Sequence, residues 1–350
     1  MTRPQPVDLT DRVAQMREAH LVASPGTRFQ SFDANYAVLA RLVEVVSGAE
    51  FNDYLRRHIF EPLEMDDTTG VVAAQAAERA APRLANGHIQ AYGVAVARPE
   101  MSGILAGSGG VISTAKDLAN YLIMQNNGGG LRGSTLLSSA GVTRMHTPAG
   151  SPDSPYGMGW TVTAPGVVQH NGVLSTFYAD AALLPDEQYG VVVLSNSYNA
   201  LVGYDAITQG LVDLVTTGRV EPAGIGVRAI GLFVALLTAV TVGLFVWGLR
   251  NIDTWARRVR RASWLVVGIR VAWTALPAIL LAAFPQLLAA VSGRVFSYHA
   301  LYRAMPAIMV WLTLSALLGL ALGGGRVRAL LRPSTLSVAG DGGTDSRPEE

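Results

Sequence analysis

The sequence predicts an α+β domain, an antiparallel sheet with flanking helices, followed by three transmembrane α-helices. Three observations lead there. The runs Ile225 to Leu249, Val271 to Ala290 and Met305 to Leu322 are almost purely apolar, each close to the roughly 17 to 25 residues that span a hydrocarbon core. From Asn35 the residues Tyr36, Val38, Leu39, Leu42, Val43, Val45 and Val46 recur near the helical period. Between Gly157 and Ser195 the pattern changes to that of short strands separated by turns.

The apolar runs account for a composition that is half hydrophobic in 350 residues. Half is too much for an ordinary water-soluble chain. The formal net charge of +1 hides an asymmetry. Residues 1 to 224 hold 14 basic and 21 acidic groups, a net charge of −7, whereas residues 225 to 350 hold 13 and 5, a net charge of +8. Much of that excess is one loop carrying Arg250, Arg257, Arg258, Arg260 and Arg261. It could meet nucleic acid or anionic lipid, but between two spans it reads first as the signal that keeps a loop in the cytoplasm. With that loop inside, Arg294 and Arg303 lie outside, Arg326, Arg328 and Arg332 lie inside, and the domain before Ile225 faces outside. The domains are therefore 1 to 224, a membrane region 225 to 325 with spans near 225–249, 271–290 and 305–322, and a polar cytoplasmic tail 326 to 350 expected to be disordered. Membrane lipid is an expected partner and nucleic acid is not. Arg270, at the edge of the second run, lies close enough to the basic loop to snorkel, so the spans read as an anchor rather than a transport path.

An outward-facing domain needs an export signal, yet Met1 to Asp11 is polar and lacks an apolar stretch. The sequence has no cysteine, which excludes thiol catalysis and disulfides. Its six histidines, His20, His58, His88, His146, His170 and His299, contain no i, i+4 pair, so neither a metal nor another cofactor is expected.

Along the domain, Asp8 to His20 reads as a helix, Ser24 to Thr27 as a turn, and the helix from Asn35 stops at Ser47-Gly48. A second helix covers about Phe51 to Ile59. Gly70 to Met101 reads as irregular with short strands. Ser113-Thr114 caps a helix from Ala115 to about Gln125. Strands follow at Gly157 to Thr163, Val167 to His170, Thr176 to Leu184 and Val191 to Ser195, an antiparallel meander, with a last helix from about Tyr204 to Val215.

Several segments in fixed order carry a further signal: Pro25-Gly26-Thr27-Arg28-Phe29 before Asn35-Tyr36-Ala37-Val38-Leu39, Val46-Ser47-Gly48, Ile59-Phe60-Glu61-Pro62-Leu63, Gly109-Gly110, Tyr156-Gly157-Met158-Gly159-Trp160, His170-Asn171-Gly172 and Leu183-Leu184-Pro185-Asp186. In this order they resemble the serine β-lactamase and penicillin-binding-protein superfamily, in the branch of class C β-lactamases, D-amino-acid peptidases and related esterases. The resemblance covers about Asp8 to Asn196. It implies covalent hydrolysis of an amide or ester by a serine of a Ser-x-x-Lys motif, a Tyr-x-Asn motif, and a His-x-Gly strand beside a backbone oxyanion hole.

Two departures matter. The Ser-x-x-Lys segment is expected well upstream of Tyr-x-Asn, further than the 30 residues before Ser31 allow. At the second motif stand Ser31-Phe32-Asp33, so Ser replaces Tyr and Asp replaces Asn; only His170-x-Gly172 is kept. Ser113-Thr114-Ala115-Lys116 fits Ser-x-x-Lys and holds the sequence's single lysine, but it reads as a helix cap. No intact catalytic set is therefore expected, and Ser31, Asp33, His170 and Gly172 are expected as remnants lining a substrate pocket. Two readings stay open: a membrane-anchored serine hydrolase of β-lactam or D-amino-acid peptide type in truncated form, inactive as it stands, or a pseudoenzyme that binds cell-wall peptides, a β-lactam-like ligand or a membrane partner. Either predicts apolar surface left uncovered and low stability.

Overall fold

A computed structural model describes residues 6–21, 23–148, 154–163, 166–220, 226–292 and 295–332. Ile225, Arg294 and the tail beyond Arg332 lie outside the described residues. The chain forms two compact units: Met1–Phe233 with Tyr298–Ala307, and Val234–Ser297 with Ile308–Glu350.

In the first unit α1 (Leu9–Ala14) is capped by Asp8, whose carboxylate accepts from the Asp11 N–H. It ends well before His20, in turns. Helix α2 (Asp33–Ser47) closes on Gly48, left-handed at φ +70, as the Ser47-Gly48 pair predicts. Its buried face is made of small residues, Ala34, Ala37 and Ala40, which let it sit close to its neighbours. Its other face leaves Val38, Leu39, Leu42, Val45 and Val46 exposed. Helix α3 (Phe51–Leu55) runs into a π turn at Arg56–Phe60 and a 3₁₀ turn at Glu61–Leu63.

Strand β1 (Thr69–Gly70), helix α4 (Ala77–Ala80), strands β2 (His88–Ala91) and β3 (Val94–Ala97), and strand β4 (Val111–Ile112), which pairs with β1, give order to the stretch read as irregular. In helix α5 (Ala115–Asn126) the Thr114 hydroxyl accepts from the Asp117 N–H. It is followed by the short pair β5 (Gly130–Leu131) and β6 (Ser134–Thr135) and by α6 (Ser139–Met145).

The meander is present as β7 (Thr161–Thr163), β8 (Val167–Val173), β9 (Tyr178–Leu184) and β10 (Tyr189–Ser195), antiparallel in the order β10-β9-β8-β7. Strand β11 (Ser197–Tyr198) instead joins β2 and β3 in a second sheet. Alternation along β8 and β9 divides two cores. Val168 and Leu183 pack with Leu122 of α5 and with Trp160 on one face. Ala182, Leu184 and Val191 pack on the other with Val212 of α7 (Asp205–Thr217).

Three helices are long and apolar enough to cross a membrane, at Val227–Arg250, Trp264–Ser292 and Pro306–Leu331. The first is α8. The second joins α10 (Trp264–Ala272) and α11 (Leu276–Ser292) through one 3₁₀ turn. The third is α13; the second and third are longer than the apolar runs that predict them, whereas α8 starts inside its run and ends one residue past it. The basic loop holds a helix the periodicity did not reveal, α9 (Ile252–Val259). Within the second unit the packing uses small residues: a Cβ on Gly319 would lie 2.3 Å from the Thr274 carbonyl oxygen, the close approach typical of membrane helices. A further unpredicted helix, α12 (Tyr298–Ala304), belongs to the first unit. Its Leu301 is fully buried, the Ala200 N–H donates to the Ala304 carbonyl at 2.9 Å, and Arg303 donates to the Pro99 carbonyl.

Candidate functional site

The site is built where α2 meets the turn before β7. Gly107, at φ +82, has no room for a side chain: a Cβ would stand 2.4 Å from the Tyr36 carbonyl oxygen and 2.9 Å from the Ala40 Cβ. That contact fixes the first half of α2. Opposite it, Tyr156 to Trp160 fold into a tight turn, with Gly157 N–H donating to the Trp160 carbonyl at 2.7 Å and Gly159 at φ +83. The turn is locked to the end of α6, because Met158 N–H donates to the Met145 carbonyl.

The two segments meet through their phenols, with the Tyr36 and Tyr156 hydroxyls 2.5 Å apart. The ring of Phe29 lies 5.3 Å from that of Tyr156, and the imidazole of His170 lies 6.1 Å away on another side. Beside the two phenols opens a cavity of about 520 Å³ lined by Phe29, Ser31, Asn35, Tyr36, Tyr156 and Met158, among others. Burial, and after it the hydrogen bond to Tyr36, pushes the Tyr156 pKa well up, so this phenol stays protonated at neutral pH. Loss of water around the ring lowers the His170 pKa below its ordinary 6.5, against the opposing charge of Asp180, so His170 is neutral there too. The lining is thus largely aromatic, and its phenols can both donate and accept hydrogen bonds.

The four predicted site residues are only partly brought together. Ser31 lies on the cavity wall, exposed. Asp33 stands in the first turn of α2, exposed, and is not among the lining residues. His170 reaches the site through Tyr156, whereas Gly172 faces across to Ala179, whose Cβ would be 4.0 Å from an added one. Nothing there requires glycine. Ser113-x-x-Lys116 behaves as a helix start: the Ser113 hydroxyl pairs with that of Thr68 at 2.7 Å, Thr114 supplies the cap, and Lys116 is exposed. Asp117, one turn into α5, is buried and accepts from Asp67 N–H and the Thr68 hydroxyl.

Sequence reading missed Tyr36 and Tyr156 as site residues, although both sit in the quoted motifs, and missed Glu100 altogether. Glu100 follows β3 and grips the turn between β8 and β9, the hairpin that carries His170. Its Oε1 accepts from Met101 N–H, Ser175 N–H and the Ser175 hydroxyl, and its Oε2 from Thr176 N–H and the Thr176 hydroxyl. Burial alone would raise its pKa, but the bonds from Ser175 and Thr176 outweigh burial and hold it below its ordinary 4.5. A lowered folded-state value means stability that is fully present above the unfolded-state pKa and lost as pH falls through the folded one. Melting temperatures should therefore fall on acidification from about pH 5, and Glu100→Gln should flatten that limb while lowering the plateau at neutral pH. An unchanged acid limb in the variant would show that other carboxylates dominate.

The family model for Beta-lactamase matches residues 2–213. Among curated proteins, the unguisins hydrolase ungD' of Aspergillus campestris (strain IBT 28561) is 29% identical over 230 residues, 59% of this chain and 41% of that protein. Protein flp of Staphylococcus aureus (strain MW2) is 26% identical over 174 residues, 49% of this chain and 34% of that protein. The chain thus spans about two fifths or less of the length of these relatives. Among solved structures, the octameric penicillin-binding protein homologue from Pyrococcus abyssi aligns with a TM-score of 0.51 and 26% identity, covering 59% of this chain and 47% of that one. The ordered motifs, the four-stranded sheet between α5 and α7, and a family match over more than half its length make this chain a member of the Beta-lactamase family.

Proposed function

We propose that this chain is a membrane-anchored protein of the serine-hydrolase type, directed at amide or ester bonds of β-lactam or D-amino-acid peptide kind, in which residues 1–350 supply the receiving wall of the site and not its nucleophile. The observation that carries this is the cavity itself. Its aromatic wall and paired phenols suit an acyl or peptide group, while the chain's single lysine, Lys116, is exposed and its Ser113 neighbour is tied to Thr68. A Ser/Lys nucleophile pair has no lysine to draw on elsewhere in these residues. Relatives named as a hydrolase and as a penicillin-binding protein homologue support the reaction class.

The soluble unit faces outside in this reading. Arg250, Arg257, Arg258, Arg260 and Arg261 between the first two spans favour the cytoplasm, and the loop between the second and third spans would then be outside. That loop contains α12, which is tied to the soluble domain by Arg303 on the Pro99 carbonyl and by the Ala200 N–H on the Ala304 carbonyl. Domain and loop must therefore share one side. A second reading, a non-catalytic binder of cell-wall peptide or of a membrane partner, draws on Ser31 standing where the resemblance expects Tyr.

Intact mass and probe labelling of the native product from its own membranes separate the two. A species heavier than 37.0 kDa, with a serine adduct from fluorescent penicillin or a fluorophosphonate outside these 350 residues, supports the hydrolase. An unlabelled species of 37.0 kDa that binds an acyl-D-Ala-D-Ala peptide, at least about tenfold more weakly after Tyr156→Ala, supports the binder. An adduct on a serine within residues 1–350 would overturn the assignment of these residues as a receiving wall. Labelling of Lys116→Cys by an impermeant maleimide in intact cells reads the side; the native sequence has no competing thiol.

A further inference from the structure

The hairpin of β2 and β3 closes through a turn of the type I′ kind that two-residue hairpins favour. Its two-residue turn places both Tyr92 (φ +53) and Gly93 (φ +79) in the left-handed region, which is costly for tyrosine. The tip lies against the entry to the first apolar helix. A Cβ on Gly231 would come within 2.2 Å of the Gly93 nitrogen, and one on Gly93 within 3.3 Å of the Arg228 Cα, so backbone rests on backbone. The Tyr92 hydroxyl donates to the Ala307 carbonyl at 3.4 Å, at the entry to the third apolar helix. All of these residues belong to one compact unit. The tip is thus held by the first turns of two helices that are long and apolar enough to cross a bilayer.

Strand β3 is the edge of its sheet and is exposed along its whole length. It displays Val94, 62% exposed, and Val96, 37% exposed, with the exposed arginines Arg98 at its end and Arg228 beside its turn. A bare apolar edge strand in water invites misassociation. Placed at the level where two spans leave the bilayer, the same features are those of an interfacial element: apolar side chains for the acyl boundary, tyrosine for the headgroup level, and guanidinium groups for lipid phosphate.

We propose that the β2–β3 hairpin is a bilayer seat, with Val94 and Val96 inserted at the headgroup–acyl boundary of the outer leaflet and Arg98 and Arg228 on anionic headgroups. This rests on the reading of the apolar helices as membrane spans. The occupant is lipid rather than a second copy, because chain continuity at Gly231 and Ala307 keeps the strand within a few residues of two spans. The seat fixes one end of the soluble domain at the membrane surface. It also reaches the site: β3 continues through Pro99, whose carbonyl takes Arg303, to Glu100 and the hairpin of His170.

Single cysteines can be introduced without background, since the chain has none. Full-length Val94→Cys, Val96→Cys, Lys116→Cys and Leu236→Cys proteins carrying an environment-sensitive fluorophore would be placed in vesicles of phosphatidylcholine with or without phosphatidylglycerol and spin-labelled lipid. Leu236 is an exposed apolar residue of α8 and reports the spans. Positions 94 and 96 should be quenched at least about twofold more than position 116 by headgroup and shallow acyl labels, more strongly with phosphatidylglycerol present, with Arg98→Glu and Arg228→Glu weakening that increment. Quenching at 236 with positions 94 and 96 as wet as 116 would overturn the seat and leave the spans standing. Disulfide-linked dimers through residue 94, with no lipid quenching, would also overturn it, in favour of strand pairing between copies. An unquenched position 236 would overturn the spans and the seat together.

Discussion

Gly107→Ala should cost about 2–5 kcal/mol, from about 1–2 for a left-handed non-glycine residue and about 1–3 for overpacking. The methyl group would stand 2.4 Å from the Tyr36 carbonyl, a backbone atom held in the α2 ladder, so neither partner can turn aside as a flexible side chain could. Either the turn opens or α2 moves, and both shift Tyr36 away from Tyr156. The neighbouring Gly103 is the control: nothing lies within 4 Å of a Cβ there and its backbone is not left-handed, so Gly103→Ala should stay within about 0.5 kcal/mol of the parent. Urea unfolding of the two variants in detergent, followed by near-ultraviolet circular dichroism, makes the comparison. Equal midpoints would contradict the close approach of α2.

Trp160→Ala should be costlier still, about 3–5 kcal/mol. Trp160 is buried with Leu122, Val168 and Leu183, its ring stacks with Tyr121 at 6.5 Å and meets the edge of His146 at 5.7 Å. Little around it can collapse into the space, since α5 and the sheet hold both sides. The variant also carries a local signature. Burial lowers the His146 pKa below its ordinary 6.5, and opening the cavity to water should raise it toward that value, measurable by NMR titration. A large loss of stability with no change at His146 would show that His146 owes its shift to other neighbours. Trp160→Phe, which keeps much of the packing, should lose less on both measures.

The two variants address the same wall of the cavity from its two supports. Gly107 places Tyr36 by permitting α2 to approach; Trp160 places Tyr156 by anchoring the turn that ends with it. Glu100 adds a third support, through the hairpin of β8 and β9, and is the one among them that responds to acid.

Elements whose cause is local were legible in the sequence. Three apolar runs mark the helices long and apolar enough to cross a membrane, because length and hydropathy are read off consecutive residues. The Gly48 stop of α2, the Thr114 cap of α5 and the alternation of β8 to β10 need no partner beyond a few residues. Family membership followed from motif order. Helices α9 and α12 escaped because they are only eight and seven residues long and lie in the segments between the apolar runs, where the charge pattern drew the reading instead, and α1 is shorter than its charged sequence suggested because its later residues find turn bonds instead. The site was decided by tertiary structure. Tyr36 and Tyr156 are 120 positions apart and Glu100 is 75 from Ser175, and no local pattern records which side chains a fold will bring together across such a distance. Of the four predicted residues, Ser31 lines the cavity and His170 meets it only through the ring of Tyr156, while Asp33 and Gly172 do not line it, because a motif gives residue type and order, whereas the register of β8 and the seating of α2 on Gly107 set direction.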